Sequence, residues 1–523
     1  MNTNLEPKKK QLSKQNNTVL NINDTWFFWI SLAILAIFYL LTLRTGPYWS
    51  GWIGDDLQYI RHAINLAEGK PYVDPFYISN AIASVGPAAY PPVFPLILSV
   101  IYVIFGLNFT AMKVFLIGFF ISSLVIVKII FKQYTTSISS IFLILCLGLH
   151  PDFWDFKDRI LSEFPFLFFT SLTLLLMQLN DTKQTYTYAI LLGISMYLSY
   201  GTREIALALP LTLITYELWH YRKVTIHSIL AITLFVLLAT AQKLAFGTPP
   251  VNLEFKQQLD LLIDSGATSL TTFSYINIDP ENIFKQGERY FWRLYSFLQI
   301  KHLPYSGYFY LFINICVLTG YIRSLTEKIR FTEIYFAGYL CGLLIFSGFN
   351  GFNGLRYLLP ILPFYLMYLI NGFLKLTSFC RHPIKISLTG LLVIIFIYSA
   401  GFSDKKSSFI DPSTLNAKHE QLFSFVSDHT QATDIFVTKN PNPRTLSFFT
   451  QRPASTYPTF KNNPEWFMGY LQAINTHYII ASPLSQKPHV KQEFDLLFEK
   501  YPDRFSLVFN NDTFRVYYLT NNK

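Results

Sequence analysis

The chain has 523 residues, of which 51% are hydrophobic and only 14% are charged. Soluble domains carry about 25% charged residues, so this composition excludes a water-soluble globular protein. The formal net charge is +10, but many basic residues stand in short loops between apolar segments. There they act as signals for membrane orientation, and no nucleic-acid partner is expected. The four cysteines offer neither a disulfide framework nor a CxxC metal motif.

The first predicted element is a basic N-terminus, residues 1–24, with lysines at positions 8, 9, 10 and 14. The apolar run that follows has no small-residue cleavage site, so we expect an anchor and not a removed signal peptide. Basic residues favour the cytoplasmic side. We therefore predict a multi-pass protein of the plasma (inner) membrane with its N-terminus in the cytoplasm.

Residues 25–402 are predicted to form a polytopic α-helical membrane domain of about eleven transmembrane helices. The apolar stretches lie at 25–43, 111–131, 138–150, 163–180, 187–202, 205–220, 226–246, 308–323, 332–350, 355–375 and 384–402. One further stretch, 91–107, is ambiguous. If it crossed the membrane, most Lys and Arg of the later short loops would lie outside, against the positive-inside rule. We therefore interpret it as an interfacial helix, which leaves outer loops at 44–110, 151–162 and 247–307.

Residues 403–523 are polar and predict a small extracytoplasmic α/β domain. The predicted strands are Ile435–Thr438, Tyr478–Ala481, Phe505–Phe509 and Phe514–Leu519, and the predicted helices lie near 413–428, 464–474 and 490–500. Asn510-Asn511-Asp512 between the last two strands indicates a hairpin.

The first outer loop carries Gly54-Asp55-Asp56 at the start of a short amphipathic helix that Gly69 would end. One interpretation is that Asp55 only caps this helix. The other is catalytic, because the pair lies where the membrane face meets water. Mutual repulsion and partial desolvation would raise the pKa of one carboxyl and suit it to base catalysis.

The second outer loop contains Asp158, Arg159 and Glu163. Glu163 lies at the outer mouth of an apolar helix, where an ionised group is costly and usually has a function. The alternative is an acid that stabilises the helix dipole, with Ser162 as the N-cap.

Arg203 and Arg356 lie on the same predicted outer face as these acids. A single interfacial arginine is most often a membrane anchor. Two of them beside several carboxylates favour a phosphate clamp, because guanidinium binds phosphate oxygens bidentately. The sequence has no P-loop, GxGxxG, GxSxG or HExxH motif, which argues against nucleotide-driven transport and serine hydrolysis.

In their order along the chain, these motifs resemble the GT-C superfamily of polyprenyl-phosphate-sugar glycosyltransferases. More narrowly, they resemble the protein O-mannosyltransferase and lipid A aminoarabinose transferase branch. The motifs that carry the resemblance are Asp55-Asp56-x-x-Tyr59, Tyr90-Pro91-Pro92-x-x-Pro95, Arg159-Ile-Leu-Ser-Glu163-x-Pro165, Arg203 and Arg356-Tyr357-x-x-Pro360. One departure is Ala89-Tyr90 before the two prolines, where the aminoarabinose-transferring branch has Glu-Lys.

The resemblance implies that Asp55 is the catalytic base, with Asp56 as its neighbour. It implies that Glu163 is the acid of the second loop, with Asp158 as the alternative. Substrate-binding candidates are Arg203 and Arg356 at the donor phosphate, with Arg159, Tyr59 and Tyr357 beside them. The expected donor is a polyprenyl-phosphate sugar, the expected acceptor a glycan, lipid or protein hydroxyl, and the expected stereochemical course inversion. No cofactor is required, and a divalent cation is left open.

Two other classes of function compete with the enzyme. A transporter or lipid flippase would place ionisable residues along a path through the membrane midplane, whereas here they cluster at one outer boundary. A scaffold that only presents the C-terminal domain has no need of carboxylates beside the bilayer. We therefore prefer the glycosyltransferase.

Overall fold

The helices of the membrane part follow the order of the predicted apolar stretches. The computed structural model describes residues 22–46, 54–78, 89–135, 137–246, 280–297, 305–350, 355–378, 412–457, 463–482 and 488–520. The helices before the C-terminal domain are α1 (Ile22–Leu41), α2 (Asp55–Ala67), α3 (Val93–Phe105), α4 (Phe109–Phe131), α5 (Ser137–Gly148), α6 (Pro151–Phe156), α7 (Glu163–Lys183), α8 (Tyr186–Thr202), α9 (Ala208–Tyr221), α10 (Ile226–Phe246), α11 (Pro280–Phe297), α12 (Ser306–Glu327), α13 (Phe331–Asn350) and α14 (Leu362–Leu376). Helices occupy every predicted span except 384–402. That stretch lies outside the described residues, as do residues 1–21 and most of the loop 247–307.

Among the described residues, five helical segments are long and apolar enough to cross a membrane: α4, α7, α10, α12 and Leu359–Leu376. Shorter apolar helices lie at Thr25–Leu41, Val93–Phe105, Ser139–Gly148 and Phe331–Ile345. Large apolar side chains such as Ile34, Val103 and Leu244 are exposed on these helices, which suits contact with lipid. The predicted helical membrane protein is therefore confirmed, and the number of eleven spans stays a prediction.

Two glycines allow α12 and α14 to pack closely. A Cβ atom added to Gly320 would overlap the carbonyl oxygen of Tyr368, and one added to Gly372 would overlap that of Cys316. Small residues let the backbones of membrane helices approach each other in this way. The contact matters for the site because α14 follows directly after the short turns that carry Arg356.

We expect Gly372→Ala to destabilise this helix pair. An extra methyl group in a closed contact typically costs about 1–3 kcal/mol. The matched control is Gly338→Ala on α13, because a Cβ atom there has no neighbour within 4 Å. Thermal unfolding of the detergent-purified proteins measures both, and an equal melting temperature for the two variants would contradict the predicted overlap.

The loop of residues 44–110, predicted to lie outside and called here the first outer loop, forms two helices that lie against each other. The buried face of α2 contains Leu57, Ile60 and Ala63, and it packs on α3. Gly69, with φ +67°, follows the end of α2 as predicted. With 13 residues, α3 measures about 20 Å, less than the roughly 30 Å of a bilayer core. The interpretation of 91–107 as an interfacial helix stays a prediction, since the predicted span α5 is shorter still.

The C-terminal part of the chain contains a five-stranded sheet in the order β2-β1-β3-β5-β4. Its elements are α15 (Pro412–His429), β1 (Phe436–Thr438), α16 (Pro443–Thr450), β2 (Ala454–Ser455), α17 (Pro464–Ala473), β3 (Tyr478–Ala481), α18 (Pro488–Lys500), β4 (Phe505–Asn510) and β5 (Arg515–Leu519). β1 pairs in parallel with β2 and β3, whereas β5 pairs antiparallel with β3 and β4. The predicted strands, helices and final hairpin are present, and α16 and β2 are additional elements.

β1 and β3 are covered on both of their faces and are apolar apart from Thr438 at the end of β1. Val437 and Ile479 belong to one buried cluster, and Phe436 and Ile480 belong to another. Strands buried on both sides read as continuous apolar runs, as these two do.

The first outer loop pairs with the edge of this sheet. The amide of Ile78 donates to the carbonyl of Ala454 at 2.9 Å, and the amide of Ala454 donates to the carbonyl of Phe76 at 2.8 Å. Beside this edge, α16 packs on α2. These two contacts place the start of α16 next to the start of α2, where Asp55 lies.

Candidate active site

Asp55 is the first residue of α2, and two arginines hold its carboxylate. Nη1 of Arg356 lies 2.7 Å from Oδ2, and Nη1 of Arg444 lies 2.8 Å from Oδ1. The residue at the N-cap position is Gly54, and no side chain caps the helix there. The interpretation of Asp55 as the N-cap is therefore wrong, since both of its carboxylate oxygens face guanidinium groups.

The pKa of Asp55 lies below its ordinary value. Burial opposes ionisation of this carboxyl, but the charges of Arg356 and Arg444 outweigh that effect. Asp55 is therefore ionised at neutral pH, the state that a base requires.

Glu163 opens α7, and its two carboxylate oxygens differ in their surroundings. Oε1 lies 3.1 Å from Nη1 of Arg203 and 3.7 Å from Nε of Arg356. Oε2 is buried and has no hydrogen-bond partner among the described residues. Ser162 stands at the N-cap position without a side-chain capping bond, so the dipole alone does not account for this acid. A buried carboxylate oxygen without a partner is costly, which points to a ligand group that completes the site.

Five side chains thus form one continuous chain of ion pairs, here called the arginine–carboxylate chain. In order, its members are Arg203, Glu163, Arg356, Asp55 and Arg444. Arg356 is its centre because it bridges the two carboxylates. Three guanidinium groups face two carboxylates, so the chain carries one excess positive charge. Such a group can accept an anion such as a phosphate without a further counterion.

Asp56 lies beside the arginine–carboxylate chain and not within it. Its Oδ2 accepts a hydrogen bond from the amide of Ile160 at 3.2 Å. Burial raises its pKa to about 6, the neighbouring charges of Asp55 and Glu163 add to the shift, and Arg159 opposes it. Of the two adjacent carboxyls, Asp56 is the one whose pKa is raised. The predicted base, Asp55, is the one whose pKa is lowered.

The raised pKa of Asp56 predicts a pH-dependent stability. An unfolded Asp titrates near about 3.9, so the folded protein binds this proton more tightly than the unfolded chain. The cost of the ionised form is fully present above pH 6 and is relieved as the pH falls through about 6 toward 4. We expect Asp56→Asn to raise the melting temperature at neutral pH, with a difference that shrinks as the solution is acidified. A difference that does not change with pH would contradict this prediction.

Tyr59 and Tyr357 lie beside the arginine–carboxylate chain. The hydroxyl of Tyr59 lies 3.3 Å from Oγ of Ser162, next to Glu163. The guanidinium of Arg203 lies 4.5 Å from the ring centre of Tyr357, and that of Arg356 lies 5.5 Å from it. The Tyr357 ring therefore lies within cation–π distance of both predicted phosphate-binding arginines.

Asp158 and Arg159 form ion pairs with residues outside the arginine–carboxylate chain. Nζ of Lys157 lies 2.7 Å from Oδ2 of Asp158, and the amide of Arg44 donates to Oδ1 at 2.8 Å. Arg159 pairs with Asp155 at 2.9 Å, and its charge acts on Asp56. Asp158 is thus engaged in a separate buried cluster, and Arg159 lies between that cluster and Asp56.

Arg444 is the site residue that the sequence analysis missed. It lies at the start of α16, where Asn442 caps the helix through a bond from the amide of Arg444. A cation at a helix N-terminus is unfavourable with respect to the helix dipole. This unfavourable position is visible only once α16 is known, since the sequence did not predict that helix.

Among the described residues, no group of three or more His, Cys, Asp or Glu side chains is placed to hold a metal ion. The carboxylates of the arginine–carboxylate chain face guanidinium groups instead.

No protein family matches the chain by sequence profile, and no curated protein matches it by sequence. Solved structures do show similar folds. The oligosaccharyltransferase AglB from Archaeoglobus fulgidus, in complex with an inhibitory peptide and a dolichol-phosphate, superimposes with a TM-score of 0.58 at 10% identity. That superposition covers 88% of this chain and 69% of AglB. The apo form of the same enzyme gives 0.56 at 11% identity, over 87% of this chain and 70% of that one.

ArnT from Cupriavidus metallidurans, bound to undecaprenyl phosphate, is similar over nearly its whole length. The TM-score is 0.50 at 12% identity, over 94% of this chain and 97% of ArnT. At such low identity the likeness concerns the fold, which is what the order of the sequence motifs predicted. The chain therefore shares its fold with AglB and ArnT.

Proposed function

We propose that the protein is an integral membrane glycosyltransferase that transfers a sugar from a polyprenyl-phosphate carrier to an acceptor hydroxyl on the outer face of the membrane. The observation that carries the proposal is the arginine–carboxylate chain, with its excess positive charge and the unpartnered Oε2 of Glu163. The similar structures with bound dolichol-phosphate and undecaprenyl phosphate support the class of carrier.

The donor would place its phosphate against Arg356 and Arg203. Arg356 has 27% of its side chain exposed and can turn from Asp55 toward an incoming anion. Negative charge grows on the phosphate oxygen as the bond to the sugar breaks. Guanidinium groups at that oxygen stabilise the transition state more than the ground state, and this is how they would accelerate the reaction.

Asp55 would act as the base. When Arg356 leaves for the phosphate, Asp55 loses one of its two cationic partners and becomes more basic. The acceptor oxygen attacks the anomeric carbon, its proton passes to Asp55, and the polyprenyl phosphate leaves from the opposite side. One carbon–oxygen bond forms as another breaks, so the configuration at the anomeric carbon inverts.

Glu163 would serve the acceptor or the sugar through Oε2. This oxygen is buried, while Oε1 is committed to Arg203 and Arg356. A substrate hydroxyl that donates to Oε2 would satisfy it, and a substrate without that hydroxyl would leave it unpaired. The site would thereby select its substrate through one buried hydrogen bond.

The test is a mass-spectrometric comparison of envelope lipids and glycans with and without the protein, followed by transfer with purified protein in lipid nanodiscs. We expect one acceptor to lose a sugar when the protein is absent. We also expect the purified protein to release undecaprenyl phosphate from an undecaprenyl-phosphate sugar. Carrier movement across vesicles without any release of undecaprenyl phosphate would instead support the transporter.

A further inference from the structure

The C-terminal domain reaches the arginine–carboxylate chain through three contacts with the first outer loop. The edge strand β2 pairs with residues 76–78 of that loop. Nη2 of Arg61 on α2 donates to the carbonyl of Phe448 at 3.2 Å, and its guanidinium lies 4.9 Å from the Phe448 ring centre. The third contact joins Gly54 to the loop before α16. These contacts bring α16 to a fixed place beside Asp55.

The third contact requires a residue without a side chain. A Cβ atom on Gly54 would lie 2.7 Å from both terminal atoms of the Asn442 amide. That spacing is shorter than real Cβ contacts, so a side chain at position 54 would displace the Asn442 amide from its present place. Gly54, directly before Asp55, thus fits closely against Asn442, two positions before Arg444.

Arg444 and Arg356 differ in their freedom to move. The side chain of Arg444 is 1% exposed, against 27% for Arg356. The guanidinium of Arg444 lies 4.7 Å from the ring centre of Tyr77 and 5.6 Å from that of Tyr90. Its Nη1 also lies 3.2 Å from the hydroxyl of Tyr90. Arg444 is therefore enclosed, whereas Arg356 is open toward an incoming ligand.

We propose that Arg444 is a positioning residue of the C-terminal domain that keeps hold of the Asp55 carboxylate while Arg356 turns to the donor phosphate. The inference rests on the proposed function. It makes the C-terminal domain part of the active site and divides the work of the arginines. Arg203 and Arg356 serve the donor, and Arg444 orients the base.

The buried ion pair between Arg444 and Asp55 also sets the pH range in which Asp55 can act as the base. The groups that act on Asp55 are Arg356 from the turn before α14, Arg444 from α16, Tyr90 from the segment before α3, and Asp56 and Tyr59 from α2 itself. Once Arg356 is engaged by phosphate, Arg444 is the remaining guanidinium in contact with Asp55. It keeps the pKa of Asp55 low enough for the carboxylate to be ionised when the acceptor arrives. Without Arg444, the acidic limb of the pH–rate profile moves to higher pH.

The experiment compares Arg444→Gln, Arg444→Lys and the control Arg452→Gln. Arg452 belongs to the same domain, and its guanidinium bonds only to Ser427, Thr430 and Thr450 of that domain in the contacts described. Three quantities are measured in nanodiscs: turnover of the undecaprenyl-phosphate sugar that the unaltered protein consumes, the pH–rate profile, and the Kd of undecaprenyl phosphate alone.

For Arg444→Gln we expect turnover to fall roughly ten- to a hundredfold, the equivalent of one charged hydrogen bond. The acidic limb should move to higher pH, and the Kd of undecaprenyl phosphate should stay within about twofold of the unaltered value, since the phosphate contacts are untouched. Arg444→Lys should restore the acidic limb in part because it keeps the charge. Arg452→Gln should match the unaltered protein in all three quantities.

If the unaltered protein is active, two results would overturn the proposed role of Arg444. One is a folded Arg444→Gln variant with unchanged turnover and pH profile. The other is a rise of about tenfold in the Kd of undecaprenyl phosphate at unchanged turnover, which would make Arg444 a phosphate contact. If Arg444→Gln does not fold, Arg444→Lys decides by the same measurements. An unaltered protein that releases no undecaprenyl phosphate from any carrier sugar would instead refute the proposed function.

Discussion

Asp55→Asn is expected to lower sugar transfer by roughly 10²- to 10⁴-fold, the range for loss of a general acid–base group. Asparagine has nearly the shape of aspartate, so the contact between α2 and α16 should be kept. It has no negative charge and cannot take the proton of the acceptor hydroxyl at neutral pH. The measurement is the rate at which purified protein releases undecaprenyl phosphate from its carrier sugar.

The matched control for this variant is Glu68→Gln. Glu68 directly follows the end of α2, is solvent-exposed and pairs with Lys70 at 2.6 Å. A surface pair of this kind contributes about 0–1 kcal/mol, so transfer should be unaffected. An Asp55→Asn protein that folds and transfers sugar as fast as the Glu68→Gln protein would remove Asp55 from the mechanism.

The affinity of the Asp55→Asn variant for undecaprenyl phosphate distinguishes the loss of a base from damage to the phosphate site. In Asp55→Asn, Arg356 loses the carboxylate that holds it at 2.7 Å. Nothing then competes with phosphate for that side of the guanidinium, so undecaprenyl phosphate should bind at least as tightly as before. Loss of both binding and transfer would mean that Asp55 serves the donor site or the fold, and not proton transfer alone.

The part of the site that the sequence predicted is the part that local rules determine. A helix start after Gly54 follows from the apolar periodicity of α2, and Glu163 at the mouth of α7 follows from the apolar run behind it. Placing Arg203 and Arg356 on the same predicted face of the membrane required only a count of the spans and of the charges in the loops. The structure brings Glu163, Arg356 and Asp55 into contact, as a shared outer face implies.

What the sequence could not predict depends on contacts between distant segments. Arg444 is 389 positions from Asp55 along the chain, and no periodicity connects the two. The two-residue strand β2 is too short to be recognised by its composition, and it lies between β1 and the loop strand at residues 76–78. The misassigned N-cap has the same origin. Local propensity favours Asp55 as a cap, but two distant guanidinium groups bind its carboxylate more strongly than backbone amides would.

The different roles of Arg203, Arg356 and Arg444 explain why the arginine–carboxylate chain has three arginines for two carboxylates. In the ion pairs described, Arg203 meets Glu163 and Arg444 meets Asp55, and both side chains are nine-tenths or more buried, so they hold the ends of the arginine–carboxylate chain in place. Arg356 is the most exposed of the three and is shared between both carboxylates. Because Arg356 is partly exposed and shared between two carboxylates, it is the arginine that can bind an incoming phosphate with the least change to the other ion pairs.

Arg356→Gln should therefore cause the second large loss of activity. We expect transfer to fall by roughly 10²- to 10³-fold, as when one donor to a developing oxyanion is removed. The Kd of undecaprenyl phosphate should rise by about tenfold or more, because a charged hydrogen bond to phosphate is lost. Arg203→Gln should act in the same direction. The fold should survive, since Glu163 keeps Arg203 and Asp55 keeps Arg444.

The control for the arginine variants is Arg323→Gln on α12, whose partner is Glu327 on the same helix at 2.7 Å. This exposed pair is far in sequence from the members of the arginine–carboxylate chain and shares no described contact with them. Transfer and binding should therefore match the unaltered protein. The combination of a weakened Kd and a lowered rate distinguishes Arg356 from Arg444, for which only the rate and its pH profile should change. If Arg356→Gln kept both the affinity for undecaprenyl phosphate and the rate of transfer, the phosphate would have to bind elsewhere. The excess positive charge of the chain would then serve only to hold the two carboxylates in the folded protein.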